Sequence, residues 1–105
     1  MRRFTTPTQV LLVDEPTLID DQLYVTYKQA NKILTFGPDN IVVESTDTGI
    51  KIYIELAQLQ TGGFTVGLVQ VQVNGIDQNG IRRATNIATF EMTDNLLRKV
   101  IEYDG

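Results

Sequence analysis

The sequence predicts an all-β protein built as a two-sheet sandwich. Apolar residues alternate with period two in several short stretches, the pattern of strands with one buried and one wet face. Turn-forming clusters separate those stretches at roughly 8 to 12 residue intervals, as in sandwiches and barrels. The length of 105 residues provides for one hydrophobic core and is short for two ordinary domains.

The clearest strand covers residues 50–56, with Ile50, Ile52, Ile54 and Leu56 on one face and Lys51, Tyr53 and Glu55 on the other. A helix would scatter those four apolar residues around its circumference. Residues 22–28 repeat the pattern, with Leu23, Val25 and Tyr27 set against Tyr24, Thr26 and Lys28. Residues 9–13 form an apolar stretch between Pro7 and Pro16, and residues 32–36 and 40–44 flank the turn cluster Gly37-Pro38-Asp39. Asn31-Lys32 turns between the second and third segments, and residues 45–49 turn into the clearest strand. Residues 57–62 are too few for a stable helix and read as a single helical turn crossing between sheets.

Residues 64–74 contain a fault. Phe64, Val66 and Leu68 share one parity, whereas Val69, Val71 and Val73 share the other. One extra residue in a strand exchanges its faces, and glycine inside a strand often marks the place. A bulge or sharp bend is therefore expected between Gly67 and Val69. Asp77-Gln78-Asn79-Gly80 forms the tip of a hairpin, and its returning strand, about residues 83–92, turns Ala84, Ala88, Phe90 and Met92 inward. At the C-terminus, Leu96, Leu97, Val100 and Ile101 recur at helical spacing after Thr93 and Asp94, either of which can cap. A short helix and an extended tail both remain open there.

These segments amount to about seven strands, and an immunoglobulin-like sandwich fits the length best. The whole chain, 1–105, is read as one domain with an arm at 1–7 and a tail at 93–105.

Composition excludes several chemistries. The chain has no cysteine and no histidine, which removes disulfides, thiolate catalysis, cysteine-ligated zinc and the commonest general base. The net charge of −4 argues against binding to nucleic acid or to an anionic membrane. No apolar run approaches the length of a membrane helix. Met1-Arg2-Arg3 is not followed by the apolar stretch of an export signal, so synthesis in the cytosol is expected.

The candidate sites carry little chemistry. Asp14-Glu15 and Asp20-Asp21 offer oxygen ligands for calcium, but their spacing suits turn-forming loop residues. Asp77-Gln78-Asn79-Gly80 lacks the remaining ligands of a calcium loop. Glu55 and Glu91 are carboxylates without a cleft to bring them together. Ser45, the only serine, lacks a nucleophile-elbow context. The arginine pairs Arg2-Arg3 and Arg82-Arg83, with Arg98-Lys99, are dispersed. No catalytic residue, cofactor or metal is expected, and the chain is not read as an enzyme. Tyr24 and Tyr53 are candidates for stacking on a sugar. The arm, with Arg2, Arg3 and Phe4, reads either as a frayed terminus or as a partner-contact segment.

The opening Met-Arg-Arg-Phe-Thr-Thr-Pro-Thr resembles the start of small phage and prophage proteins of Gram-positive bacteria. The likeness continues through Leu23-Tyr24-Val25-Thr26-Tyr27-Lys28-Gln29, residues 52–59 and Ala84-Thr85-Asn86-Ile87. The order of strand, Leu-x-Gln-Leu-x-Thr-Gly, strand, hairpin and strand is similar to the immunoglobulin-like N-terminal module of phage baseplate proteins. The resemblance implies a virion, tail or baseplate component, made in the host cytoplasm and acting through contacts with other virion proteins or with itself. The chain departs from the baseplate pattern in ending soon after the sandwich, without a receptor-binding or trimerising extension, so a host-recognition role is not expected. A carbohydrate- or ligand-binding sandwich module is the alternative.

Overall fold

The computed structural model describes residues 1–103, so the last two positions of the predicted tail lie outside the described residues. The protein is an all-β sandwich of two antiparallel sheets. Strands β1 (Thr8–Val13), β4 (Val42–Ser45) and β5 (Ile50–Glu55) form one sheet in the order β1-β5-β4. Strands β2 (Gln22–Gln29), β3 (Lys32–Phe36), β6 (Gly67–Ile76), β7 (Arg82–Ala84) and β8 (Ala88–Met92) form the other. Its order is β3-β2-β6, with β7 and β8 end to end along the far side of β6.

Three crossings connect the sheets: a 3-10 turn at Pro16–Asp20, another at Pro38–Asn40, and the short helix α1 at Gln58–Gly62.

The period-two stretches account for the core. Leu23, Val25 and Tyr27 from β2 meet Ile50, Ile52 and Ile54 from β5, with Val69, Val71 and Val73 from β6 beside them. Tyr27 is fully buried at the centre of this layer. Its ring meets Phe36 and Phe90 edge-on, at centroid separations of 5.8 and 5.9 Å. Its hydroxyl donates to Gln9 Oε1 of the opposite sheet.

The predicted fault is resolved differently. No bulge interrupts residues 67–69: β6 pairs with β2 and with β8 in continuous registers. Phe64 lies before the strand and is buried, whereas Val66 and Leu68 face solvent. Gly67 opens the strand at φ +133°, a conformation strained for any residue with a side chain.

The extra residue lies instead in the returning strand. Asn74 pairs with Ala84 and Val71 with Ala88, so Thr85, Asn86 and Ile87 stand opposite only Gln72 and Val73. The Thr85 amide donates to the Val73 carbonyl at 2.9 Å, and the Val73 amide to Thr85 Oγ1 at 3.1 Å, closing the bulge. The slip exchanges faces. Ala84 shares the outer face with Asn74, contrary to the inward placement expected, whereas Ala88, Phe90 and Met92 lie on the inner face with Val71 and Val69.

The hairpin tip forms as expected. The Asp77 carboxylate accepts the amides of Asn79 and Ile81, each at 2.9 Å, and Gly80 takes φ +78°. The β2–β3 connection is the two residues Ala30 and Asn31, one position earlier than predicted, with Ala30 at φ +50°. Residues 94–103 form no helix. Thr93 forms a bridge with Arg2 instead of capping a helix, and no apolar seat receives Leu96, Leu97, Val100 or Ile101, all of which stay exposed.

Candidate functional site

The structure brings the two ends of the chain together. The terminal ammonium donates to the Glu91 carbonyl at 2.8 Å. Arg2 bridges Thr93 in parallel pairing, and the Arg3 amide donates to the Thr93 carbonyl at 2.9 Å. The remainder of the arm follows α1: the Thr5 amide donates to Thr61 Oγ1 at 3.0 Å, and that hydroxyl returns a bond to the Thr5 carbonyl at 2.8 Å. Phe4 lies against Gly62, where a Cβ would stand 2.4 Å from the ring. The predicted arm residues Arg2, Arg3 and Phe4 therefore all make contacts within their own domain.

Asp94 organises this junction. Arg2 donates to its carbonyl at 2.9 Å, Arg3 reaches its carboxylate at 3.4 Å and Arg98 holds the other carboxylate oxygen. Two of the dispersed basic pairs thus meet around one aspartate. The Asn95 backbone amide, followed by the two guanidinium groups, holds the Asp94 carboxyl below the usual carboxylate range. Beyond it, residues 96–103 run over the surface. Leu96 and Tyr103 are fully exposed, and Leu97, Val100 and Ile101 are about half exposed. The Gln58 amide clasps the backbone of Ile101, accepting from its N–H at 2.9 Å and donating to its carbonyl at 2.7 Å.

The second feature is an open flank. On one side of the sandwich the sheets end in β1 and in the β7–β8 edge, and among the described residues no strand closes the space between them. A groove of about 880 Å³ runs there, lined by Leu11, Val13 and Leu18 on one side and by Arg83, Thr85, Asn86 and Ala88 on the other, with Asp14 and Glu15 at one end. Val10 and Leu12 project from β1 onto the outer face of the three-stranded sheet, beside Tyr53, Lys51, Val42 and Glu44. Leu12 is 71% exposed and Val42 64%.

The other predicted positions do not converge. Tyr24 and Tyr53 lie on the outer faces of opposite sheets, as do Glu91 and Glu55. A shallow depression of about 750 Å³ collects Tyr53 with Glu55, Asp39, Asn40 and Gln60. Of the acidic pairs, Asp21 is buried and held by Arg83, and Glu15 accepts from the Thr17 hydroxyl. Among the described residues no three His, Cys, Asp or Glu side chains are grouped to hold a metal ion. Also among the described residues, no helix is long and apolar enough to cross a membrane.

Sequence reasoning missed the Asp94 junction, the Asp21–Arg83 pair and the open flank. The junction joins residues about ninety positions apart, which no local pattern encodes. The only available signal for the flank was the uncharged run Thr8-Gln9-Val10-Leu11-Leu12-Val13. Comparison with family models, curated proteins and solved structures finds no match to this chain.

Proposed function

We propose that the protein is a phage or prophage structural or assembly component, associated with the virion and its tail or baseplate, that works through protein–protein contacts. The observation that carries this reading is the free, uncharged edge of β1 beside an open groove of mixed polar and apolar lining. Strand edges of this kind are templates for another polypeptide chain. The resemblance of the sequence to phage and prophage proteins supplies the setting: synthesis in the host cytoplasm and incorporation into the particle. Mass spectrometry of particles purified after induction of a host carrying the gene tests it. The protein is expected at a fixed ratio to the other virion proteins, and its absence from the particles contradicts the reading.

One observation favours a second reading, a carbohydrate- or ligand-binding module. The depression at Tyr53 combines an aromatic ring with the polar side chains of Asn40, Asp39, Glu55 and Gln60, the mixture that orients small polar ligands. A glycan array checks it. Binding abolished by Tyr53→Ala supports this reading, and an array without signal removes it.

A further inference from the structure

We propose that residues 96–103 of one copy of this chain add as a strand to the free edge of β1 in a second copy. The proposal deepens the assembly reading and rests on it for the class of contact, naming the chain itself as the partner.

The edges of the two sheets are not alike. β3 begins with Lys32, β4 has only four residues and carries Glu44, and the β7–β8 edge carries Arg82, Arg83, Glu91 and the bulge at Thr85 to Ile87. Charge, shortness and bulges are the devices that keep strand edges from pairing with other chains. β1 has none of them. It is six residues long, uncharged, free of proline and continuously paired to β5 on its other side. One of the four edges is therefore left open to another strand.

The same molecule carries a segment that belongs to neither sheet, bent at Leu96, Leu97 and Lys99. Residues 96–103 hold five large apolar side chains, Leu96, Leu97, Val100, Ile101 and Tyr103, all exposed. Apolar residues occupy both parities of the segment. That suits a strand with the groove on one side and the exposed Val10, Leu12 and Val42 surface on the other. Charge fixes the direction. The segment carries Arg98 and Lys99, and β1 runs into Asp14 and Glu15. An antiparallel register that sets Arg98 beside Asp14 also sets Val100 beside Leu12 and Ile101 beside Leu11.

The chain cannot make this pairing with itself. Arg3 holds Asp94 at the α1 end of the sandwich. From Asp94 to Arg98 the backbone spans at most about 14 Å, whereas β1 from Thr8 to Asp14 alone covers about 20 Å. A second copy meets no such limit. Two copies that each give and receive a tail form a closed, two-fold pair. Two contacts within the monomer compete with it: the Gln58 clasp on Ile101 and the Asp94 carboxylate that holds Arg98.

Light scattering and sedimentation of the full chain and five variants test this. The full chain is expected to form a discrete dimer. A variant ending at residue 95 lacks the donor, and Val10→Lys with Leu12→Lys lacks the acceptor while changing only exposed side chains; each is expected to be monomeric with an unchanged circular dichroism spectrum. Mixing the acceptor-blocked variant, as tail donor, with the truncated one restores a dimer with one copy of each. Gln58→Ala frees the tail and tightens association by about tenfold, the effect of two lost competing hydrogen bonds. Reversing Arg98 and Lys99 to Glu weakens association, and adding Asp14→Lys and Glu15→Lys to the same chain recovers it. A full chain that stays monomeric at about millimolar concentration, a truncated chain that keeps the dimer, or one-sided variants that fail to pair each overturn the proposal. A monomer that still occurs in purified particles removes the tail exchange and leaves the assembly reading standing. A tail-exchanged dimer absent from particles removes the assembly reading alone.

Discussion

Arg83 holds Asp21 through one guanidinium nitrogen, 3.1 and 3.2 Å from the two carboxylate oxygens, across 62 positions of sequence. The Asp21 carboxylate is 2% exposed, and the Arg83 side chain is 41% exposed. A second nitrogen of Arg83 donates to Thr17 Oγ1 at 3.0 Å. The pair therefore ties the β7 edge to the 3-10 turn that carries the chain from one sheet to the other. Removing Arg83 leaves a buried carboxylate without its cation. Arg83→Met is expected to cost about 2 kcal/mol in urea denaturation, below the cost for a fully buried pair because the guanidinium stays partly hydrated. Adding Asp21→Asn to Arg83→Met recovers part of that loss, and purely additive effects would show that the two groups are not coupled.

Tyr27 links the two sheets through its hydroxyl. Tyr27→Phe strips Gln9 of its buried partner and is expected to cost about 1 kcal/mol, whereas Tyr27→Ala costs about 4 kcal/mol through the cavity left between Phe36 and Phe90. Burial also pushes the Tyr27 phenol well above the ordinary tyrosine value. Its folded pKa is raised, so this contribution is intact below the unfolded value of about 10 and is lost as the pH rises toward the folded value. Denaturation of the wild type and Tyr27→Phe between pH 9 and 12 checks it, and the phenylalanine variant is expected to lose less stability over that range.

Ala30 carries a positive φ in a two-residue turn, a conformation glycine adopts without strain. Ala30→Gly is expected to stabilise the protein by up to about 1 kcal/mol, the relief of strain exceeding the added freedom of the unfolded chain. A thermal scan that shows no rise in midpoint contradicts this.

The arm is part of the domain that it precedes. Gly62→Ala places a methyl group inside the Phe4 ring and is expected to displace the arm at a cost of about 1–3 kcal/mol. The Asp94 carboxyl is held low, so its hold on Arg3 and Arg98 is present above the ordinary carboxylate pKa and is lost as the pH falls through the lowered value. Nuclear magnetic resonance shifts of the two guanidinium groups, followed into acid, are expected to move together with the Asp94 carboxyl.

Strand positions were legible because alternation records which face is buried. Ile50, Ile52 and Ile54, and Leu23, Val25 and Tyr27, lie where their parity places them. Alternation does not say which strand of a pair absorbs an extra residue. The parity change at Leu68–Val69 pointed to a bulge in β6, but Gly67 takes up the bend at the first residue of that strand and Thr85 to Ile87 carry the bulge. The C-terminal spacing of Leu96, Leu97, Val100 and Ile101 fits a helix, yet it finds no surface to pack on, and a helix that short does not stand alone. The candidate surface was barely legible. A free edge is a property of topology, and the uncharged sequence of β1 becomes informative only when its outer neighbour is known to be missing.

Hydrogen–deuterium exchange at β1 tests the central claim, contact through an open strand edge, most directly. In the full chain at concentrations where it associates, the outward amides of residues 8–13 are expected to be protected, and ending the chain at residue 95 removes that protection while leaving the amides of β2 and β6 unchanged. Equal exchange of the β1 amides in the two chains would contradict the account.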